Sequence, residues 1–188
     1  MKYRNHALYN KAQEDEIFIF FDYLPKVVSF VCKNDSLWKG TGAPPADLHD
    51  VLMNLSIKQY FGRSLRRSMG LIRLMKRAFR LIFKVLCFKT LDNYLNNPCL
   101  KKYLDEIIRY TSCPLKYIEK NFATDKTGEK TNTRSSWYSI RCNKETTKRD
   151  HLNVHITVGC ELHTVAAIDV LSEKGKDNTI FRKHIKKV

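Results

Sequence analysis

The chain has 188 residues, 43% of them hydrophobic, which excludes an intrinsically disordered protein and allows one large domain or two small ones. Its 34 Lys and Arg residues outnumber its 19 Asp and Glu residues, so the formal net charge is +15 at pH 7. An excess of this size predicts a polyanionic partner, most simply nucleic acid, with an anionic membrane surface as the alternative.

The six cysteines show no C-x-x-C pair and no regular spacing. This pattern argues against a secreted disulfide framework and predicts reduced thiols in a cytoplasm. The N-terminus lacks the apolar segment of a signal peptide. The apolar run at 17–31 contains Asp22, Pro25 and Lys26, so it is too short and too charged to span a bilayer. We therefore expect a cytoplasmic protein with no membrane partner.

The N-terminal third is predicted to be helical with one punctuated loop. Residues 1–34 form one or two helices, bent at Pro25, whose role the sequence does not assign. Glycines and prolines between 40 and 45 interrupt regular structure before the next helix. Asp47 is placed to cap that helix, which we expect to begin near Leu48.

The segment Val51–Leu91 contains ten Lys and Arg residues and no acidic residue. It is predicted to form a helical pair, broken near Gly62 or Gly70, with a basic stripe and an apolar back. Five of its bases are spaced seven, four, three and four residues apart and share one face of a helix: Arg66, Arg73, Arg77, Arg80 and Lys84. Residues 35–115 are therefore assigned to a basic helical DNA-binding region. The predicted DNA-binding residues are Arg63, Arg66, Arg67, Arg73, Lys76, Arg77, Arg80 and Lys84.

A cationic amphipathic helix that lies on anionic lipid would have a similar pattern over Gly70–Lys89. A solvated helix face is the ordinary interpretation of a run of charges, and the absence of acidic residues over such a length weakens it in favour of nucleic-acid contact. A salt titration with duplex DNA and with anionic vesicles separates nucleic acid from lipid.

After a helical pair that ends near Thr111, with Pro98 at the start of its second helix, the pattern changes to strands. Four strands are predicted, with the sequences NFATDKTG, SSWYSIRC, LNVHITVGC and HTVAAIDVL. The last two are expected to form a hairpin, and a helix is expected to start at Asp177 or Asn178. The predicted class is α+β, with an all-helical region followed by a sheet and a trailing helix.

Two sets of residues in the sheet region are candidate metal ligands. His151, His155, Cys160 and His163 lie close together but lack the spacing of a zinc site, so ordinary sheet residues are the favoured interpretation. Asp125 is predicted to end its strand just before Thr127 and Gly128, a position that suits a ligand of a hard cation. A lone aspartate more often caps an element or faces solvent.

The order of these helical and strand segments along the chain resembles that of the insertion-sequence DDE transposases. The stretches FATDKTGEK and WYSIRCNKETTKRDHLNVHITVG are similar to the first catalytic block of that family. The upstream run KGTGAPPADLHDVLMNLSIKQYFGRSLRRSMGLI and the run TLDNYLNNPCLKKYLDEII resemble its N-terminal helices. The likeness extends over about Lys39–Asp177.

The resemblance implies that residues 116–188 are the first part of an RNase H-like domain, with Asp125 as its first metal-binding and catalytic carboxylate. Proteins of this family bind two ions, Mg²⁺ or Mn²⁺, through three carboxylates. They cleave and join DNA by displacement at phosphorus. No residue here matches the second Asp or the Glu. The expectation is therefore an incomplete sheet and a truncated transposase, inactive alone, because one carboxylate does not hold two ions.

The implied partners are the terminal DNA of the mobile element and either a second copy of the chain or an intact transposase, in a prokaryotic cytoplasm near the nucleoid. An alternative is a DNA-binding fragment that inhibits or regulates an intact transposase.

Overall fold

The computed structural model describes residues 6–33, 45–115, 117–130, 151–172 and 177–185. The chain divides into two compact units, a helical unit (Met1–Ile107) and a sheet unit (Ile108–Val188). The helices are α1 (His6–Glu14), α2 (Glu16–Cys32), α3 (Leu48–Tyr60), α4 (Leu65–Ala78), α5 (Phe88–Leu95), α6 (Leu100–Ser112) and α7 (Asp177–Ile185). The strands are β1 (Phe122–Lys130), β2 (His151–Gly159) and β3 (Val165–Ser172). The α+β class is confirmed, and none of the helices in these ranges is long and apolar enough to cross a membrane.

The helical unit is built around one apolar core. Helix α2 repeats apolar residues at helical spacing, so one side of it faces the other helices. The buried core includes Phe21, Leu24, Val28, Val31, Val51, Leu52, Leu55, Ile72, Leu91, Leu100 and Tyr103. Residues of α2 thus share a core with α3–α6, which gives this helix a structural role that the sequence did not assign.

Local signals at the start and end of α3 behave as predicted. Asp47 is the N-cap of α3, and its Oδ1 accepts a hydrogen bond of 2.9 Å from the backbone N–H of His49. The helical pair breaks at Gly62, which has a φ of 60°, whereas Gly70 lies inside α4. Pro25 also lies inside one continuous helix, α2.

The basic stripe differs from its prediction because α4 ends at Ala78, so Arg80 and Lys84 are not on the helix. The N–H of Arg80 donates to the Arg77 carbonyl (3.3 Å) and the N–H of Leu81 to the Lys76 carbonyl (2.9 Å). This pair of bonds is the Schellman pattern, which needs a left-handed residue just after the helix. Arg80 takes that conformation, with a φ of 51°.

The sheet unit contains the antiparallel sheet β1-β2-β3, followed by α7. The predicted β2–β3 hairpin and the helix that starts at Asp177 are both confirmed. The strand predicted for SSWYSIRC, residues 135–142, lies outside the described residues.

The prediction that Asp125 ends its strand is wrong. Strand β1 continues to Lys130, and Asp125 is paired with Ile156 in the middle of the ladder. Gly128 remains paired with Asn153, so the Thr-Gly sequence is extended strand and not a turn. Thr124 and Thr127 are β-branched residues that favour this extended conformation.

Candidate nucleic-acid interface

Five of the eight predicted DNA-binding residues surround one shallow depression on the helical unit, with a volume of about 430 Å³. Its lining residues are Arg73, Lys76, Arg77, Arg80, Lys84 and Val85. Every charged side chain in this lining is a cation, and all but the half-buried Lys76 are exposed. We call this feature the basic depression. It is a concave surface of positive charge, which suits a polyanion.

Helix α4 supplies one side of the basic depression. Arg73, Lys76 and Arg77 follow an i, i+3, i+4 spacing and therefore lie on one face. Ile72 is fully buried in the core of the unit and fixes the rotation of the helix. The apolar back of α4 is the reason that these three bases point away from the core together.

The other side comes from residues 80–87, which connect α4 to α5. Phe83 and Leu86 are buried, while Arg80, Ile82 and Lys84 are exposed. Alternation of this kind is typical of an extended segment that is half-buried. It brings Arg80 and Lys84 to the basic depression although neither belongs to a helix.

A buried amide holds this connection in place. The Nδ2 of Asn54, on α3, donates to the carbonyls of Asp50 (2.7 Å) and Lys84 (2.8 Å), and its Oδ1 accepts from the N–H of Leu86 (3.4 Å). The Oδ1 of Asp50 accepts from the N–H of Lys84 at 2.8 Å. The backbone on both sides of Lys84 is therefore tied to α3.

Aromatic packing fixes the point where α4 ends. The ring of Phe79 stacks on that of Phe21, with centroids 4.2 Å apart, and Phe18 meets it edge-on at 6.0 Å. The Nζ of Lys76 lies 5.4 Å from the centroid of the Phe83 ring. Arg80 therefore follows a residue that is anchored in the core.

The remaining three predicted residues, Arg63, Arg66 and Arg67, are exposed but do not line the basic depression. The guanidinium of Arg66 instead lies over the ring of Phe88, 4.7 Å from its centroid. These three residues add to the positive charge of the helical unit but do not contribute to the basic depression.

Asp125 is exposed, and its Oδ1 accepts a 2.7 Å hydrogen bond from the N–H of Lys126. The register aligns it with Ile156 and Ile168, whereas Asp169 occupies a row of the opposite face. Within the described ranges no three His, Cys, Asp or Glu side chains are grouped so that they could hold a metal ion. Among the described residues, the donor set that accompanies Asp125 does not fit a pair of Mg²⁺ or Mn²⁺ ions.

A polar network that the sequence did not reveal lies between the other face of the sheet and α7. Thr124 Oγ1 and Thr157 Oγ1 are 2.8 Å apart, and Thr157 Oγ1 is 2.7 Å from His184 Nδ1. The Nε2 of His184 is 3.3 Å from Asp169 Oδ2, to which the Nζ of Lys183 also pairs at 3.0 Å. His184 thus links two strands to the helix.

The Thr157–His184–Asp169 arrangement contains the residue types of a nucleophile, a base and an orienting acid. Thr157 is only 3% exposed and His184 is 0% exposed, so a substrate does not reach either group. The network is a structural attachment for α7, with each buried polar group supplied with a partner. The signal in the sequence is the polar residues at alternate strand positions, which identify the face but not its partner helix.

Glu119 is the second buried carboxylate of the sheet unit, at 5% exposure. It accepts hydrogen bonds from the N–H groups of Glu161 (3.0 Å) and Leu162 (2.6 Å) in the β2–β3 connection. Its carboxylate also occupies the space that a Cβ on Gly159 would need. Glu119 therefore holds the hairpin connection, and Gly159 lets it approach.

No family model matches the sequence, and neither the curated proteins nor the solved structures contain a significant match to it. The features of the molecule that bear on its function are therefore the charge and shape of the basic depression and the polar residues of the sheet.

Proposed function

We propose that this protein binds nucleic acid through the basic depression, with its cations on the phosphate backbone. The observation that carries the proposal is the convergence of Arg73, Lys76 and Arg77 from α4 with Arg80 and Lys84 from the following connection. Two separate segments supply one cluster of like charges, and the helical unit holds both against its core. Clustered cations repel one another, so a polyanion that neutralises them binds favourably.

The chemistry predicts contacts to phosphates and sugars more than to bases. Arginine forks and lysine ammonium groups neutralise phosphates and release condensed counterions, which gives strong salt dependence and little sequence preference. In a prokaryotic cytoplasm the corresponding ligand is the DNA of the nucleoid, including the ends of a mobile element.

Replacement of Arg73, Arg77 and Arg80 by Ala tests this proposal. The triple variant should lose at least about tenfold in affinity for duplex DNA at low salt, because three phosphate contacts are removed. Its control is the Lys11, Lys26 and Lys33 triple Ala variant, which removes the same charge from exposed positions on α1, on α2 and just after α2. An electrophoretic mobility shift assay compares them, and equal losses in both variants would contradict the proposal.

A second candidate function concerns the sheet unit. We infer from the resemblance to DDE transposases that it corresponds to the start of an RNase H-like domain. In the described residues, the antiparallel order β1-β2-β3 with Asp125 on β1, and the helix α7 after β3, support this inference. The described residues do not fit the two ions, so we expect no cleavage by the protein alone, and a regulatory role toward an intact transposase is the alternative. Nicking of supercoiled DNA with Mg²⁺ or Mn²⁺, abolished in Asp125→Asn, would overturn that expectation.

A further inference from the structure

Ile82 is the most exposed of the large hydrophobic side chains in the described ranges, at 90%. It lies between Arg80 and Lys84, both of which line the basic depression. Its neighbours Leu81 and Phe83 are half-buried and buried. An exposed apolar side chain therefore projects from a segment whose nearest exposed neighbours along the chain are the cations Arg80 and Lys84.

The backbone on either side of Ile82 is held firmly. On one side the N–H of Leu81 donates to the Lys76 carbonyl at 2.9 Å. On the other side Phe83 is in the core, and Lys84 is bonded to α3 through both its N–H and its carbonyl. The position of Ile82 is therefore set by the fold, and little further ordering is required when it meets a ligand.

We propose that Ile82 is a wedge that inserts between stacked base pairs of a duplex whose phosphates the basic depression binds. This proposal rests on the proposed function and specifies the form of nucleic acid. Isoleucine is among the apolar side chains that enter base steps from the minor groove and kink the duplex. The cations around Ile82 supply the charge complementarity, since insertion places them beside the phosphates of the opened step.

A duplex fits this projection better than a lipid surface does. Proteins that lie on membranes bury a broad apolar face in the headgroup region. Here Ile82 is one side chain wide along its segment, because Leu81 and Phe83 turn inward and its exposed neighbours Arg80 and Lys84 are cations. A side chain of that width matches the opening of one base step, which costs roughly a few kcal/mol of stacking.

The test uses a short duplex rich in TA steps, which unstack most easily. Several adenines are replaced by 2-aminopurine, whose fluorescence rises on unstacking, and a dye pair at the ends reports bending. The wild-type protein should raise the 2-aminopurine signal and shorten the distance between the ends. Ile82→Ser should bind on the order of tenfold more weakly, with an unchanged salt slope and neither optical signal, because one buried apolar side chain is lost.

Ile19→Ser is the matched control, since Ile19 is an exposed isoleucine of the same unit, on α2. It should behave as wild type in all three readouts. Ile82→Ala is a second variant with a smaller change in polarity, and it should also lose both optical signals. Circular dichroism of each variant verifies that the helices are retained.

Different results would separate the two proposals. Salt-dependent binding by the wild type without unstacking or bending, or equal signals in Ile82→Ser, would overturn the wedge and leave the proposed function intact. No binding to the duplex would overturn both. Binding to phosphatidylserine vesicles that Ile82→Ser abolishes, with no unstacking of the duplex, would assign Ile82 to a lipid surface and overturn the wedge.

Discussion

The helical unit and the sheet unit place their polar groups in opposite ways. In the helical unit the interior is almost entirely apolar, Asn54 and Ser68 are the buried polar residues within the described ranges, and the cations lie on the surface. In the sheet unit the face that meets α7 is polar, with Thr157, Asp169 and His184 buried together. The difference teaches that the cations of the helical unit are available to a partner, while the buried Asp169 and His184 of the sheet unit bind its own elements together.

The largest effect should follow from removal of the acid in the buried network. Asp169→Ala leaves His184 without its carboxylate in the interior of the sheet unit, and we expect a loss of about 3 kcal/mol in the free energy of unfolding of that unit. Hydrogen exchange should show faster exchange in β2 and β3 with unchanged protection in α3. The control is Val170→Ala, at an exposed position of the same strand. Unchanged exchange in Asp169→Ala would remove the contrast between the units.

Asn54→Ala tests the one buried amide on which the basic depression depends. It removes three hydrogen bonds and leaves the carbonyl of Lys84 and the N–H of Leu86 unsatisfied, so we expect a loss of about 2 kcal/mol. Urea denaturation measures the change. Asn96→Ala is the control, because the Nδ2 of Asn96 makes a single exposed bond of 2.9 Å to the Asp92 carbonyl. Equal midpoints for the two variants would show that Asn54 does not anchor the connection.

Arg80 and Gly62 provide a comparison within the helical unit, since both follow a helix with positive φ, 51° and 60°. Glycine takes that conformation without strain, and arginine does not. Arg80→Gly should therefore raise the free energy of unfolding by up to about 1 kcal/mol while it weakens nucleic-acid binding. Arg80→Lys keeps both the charge and the conformation, and should change neither quantity much. A thermal melt measures the stability of each variant, and a titration measures its binding. A less stable Arg80→Gly variant would contradict the claim that Arg80 is strained.

The smallest expected effect is a difference in reactivity between the exposed thiol of Cys87 and the more buried thiol of Cys32. The pKa of Cys87 is lowered mainly by its hydrogen bond with the Thr90 hydroxyl and next by the bond from the Thr90 N–H. The pKa of Cys32 is raised to about 11, mainly by burial and next by the negative charge of Asp47. A lowered pKa leaves more thiolate at a given pH, so Cys87 should react with iodoacetamide at a lower pH than Cys32. Variants with a single cysteine allow each rate to be followed from pH 7 to 9. Thr90→Val should shift the Cys87 profile to higher pH, and overlapping profiles for the two thiols would contradict this assignment.

Signals that act over a few residues could be predicted from the sequence. The Asp47 cap and the β2–β3 hairpin each depend on local chemistry, and each is present. The sequence offered Gly62 or Gly70 for the break in the helical pair, and the break is at Gly62. The end of α4 could not be predicted, because Arg80 occupies a position where glycine is usual and only the packing of Phe79 reveals it.

Contacts between residues far apart in the sequence could not be predicted either. Asn54 bonds to Lys84, which is 30 residues away, and nothing in the sequence of α3 indicates that partner. Likewise, Thr157, Asp169 and His184 come from two strands and a helix, so only the fold brings them together. The cations themselves were evident from the sequence, but their convergence around one depression depends on the bonds of Asn54 and Asp50 to the connection that carries Lys84.

The most direct test of nucleic-acid binding is the salt dependence of the affinity of the intact protein for duplex DNA. With all five cations of the basic depression on phosphates, the plot of log K against log salt should have a slope of about −4 to −5. The Arg73, Arg77 and Arg80 triple Ala variant should lower its magnitude by about 3, while the Lys11, Lys26 and Lys33 variant should leave it nearly unchanged. A slope near zero, or equal slopes for the two variants, would contradict the assignment of the basic depression to nucleic acid.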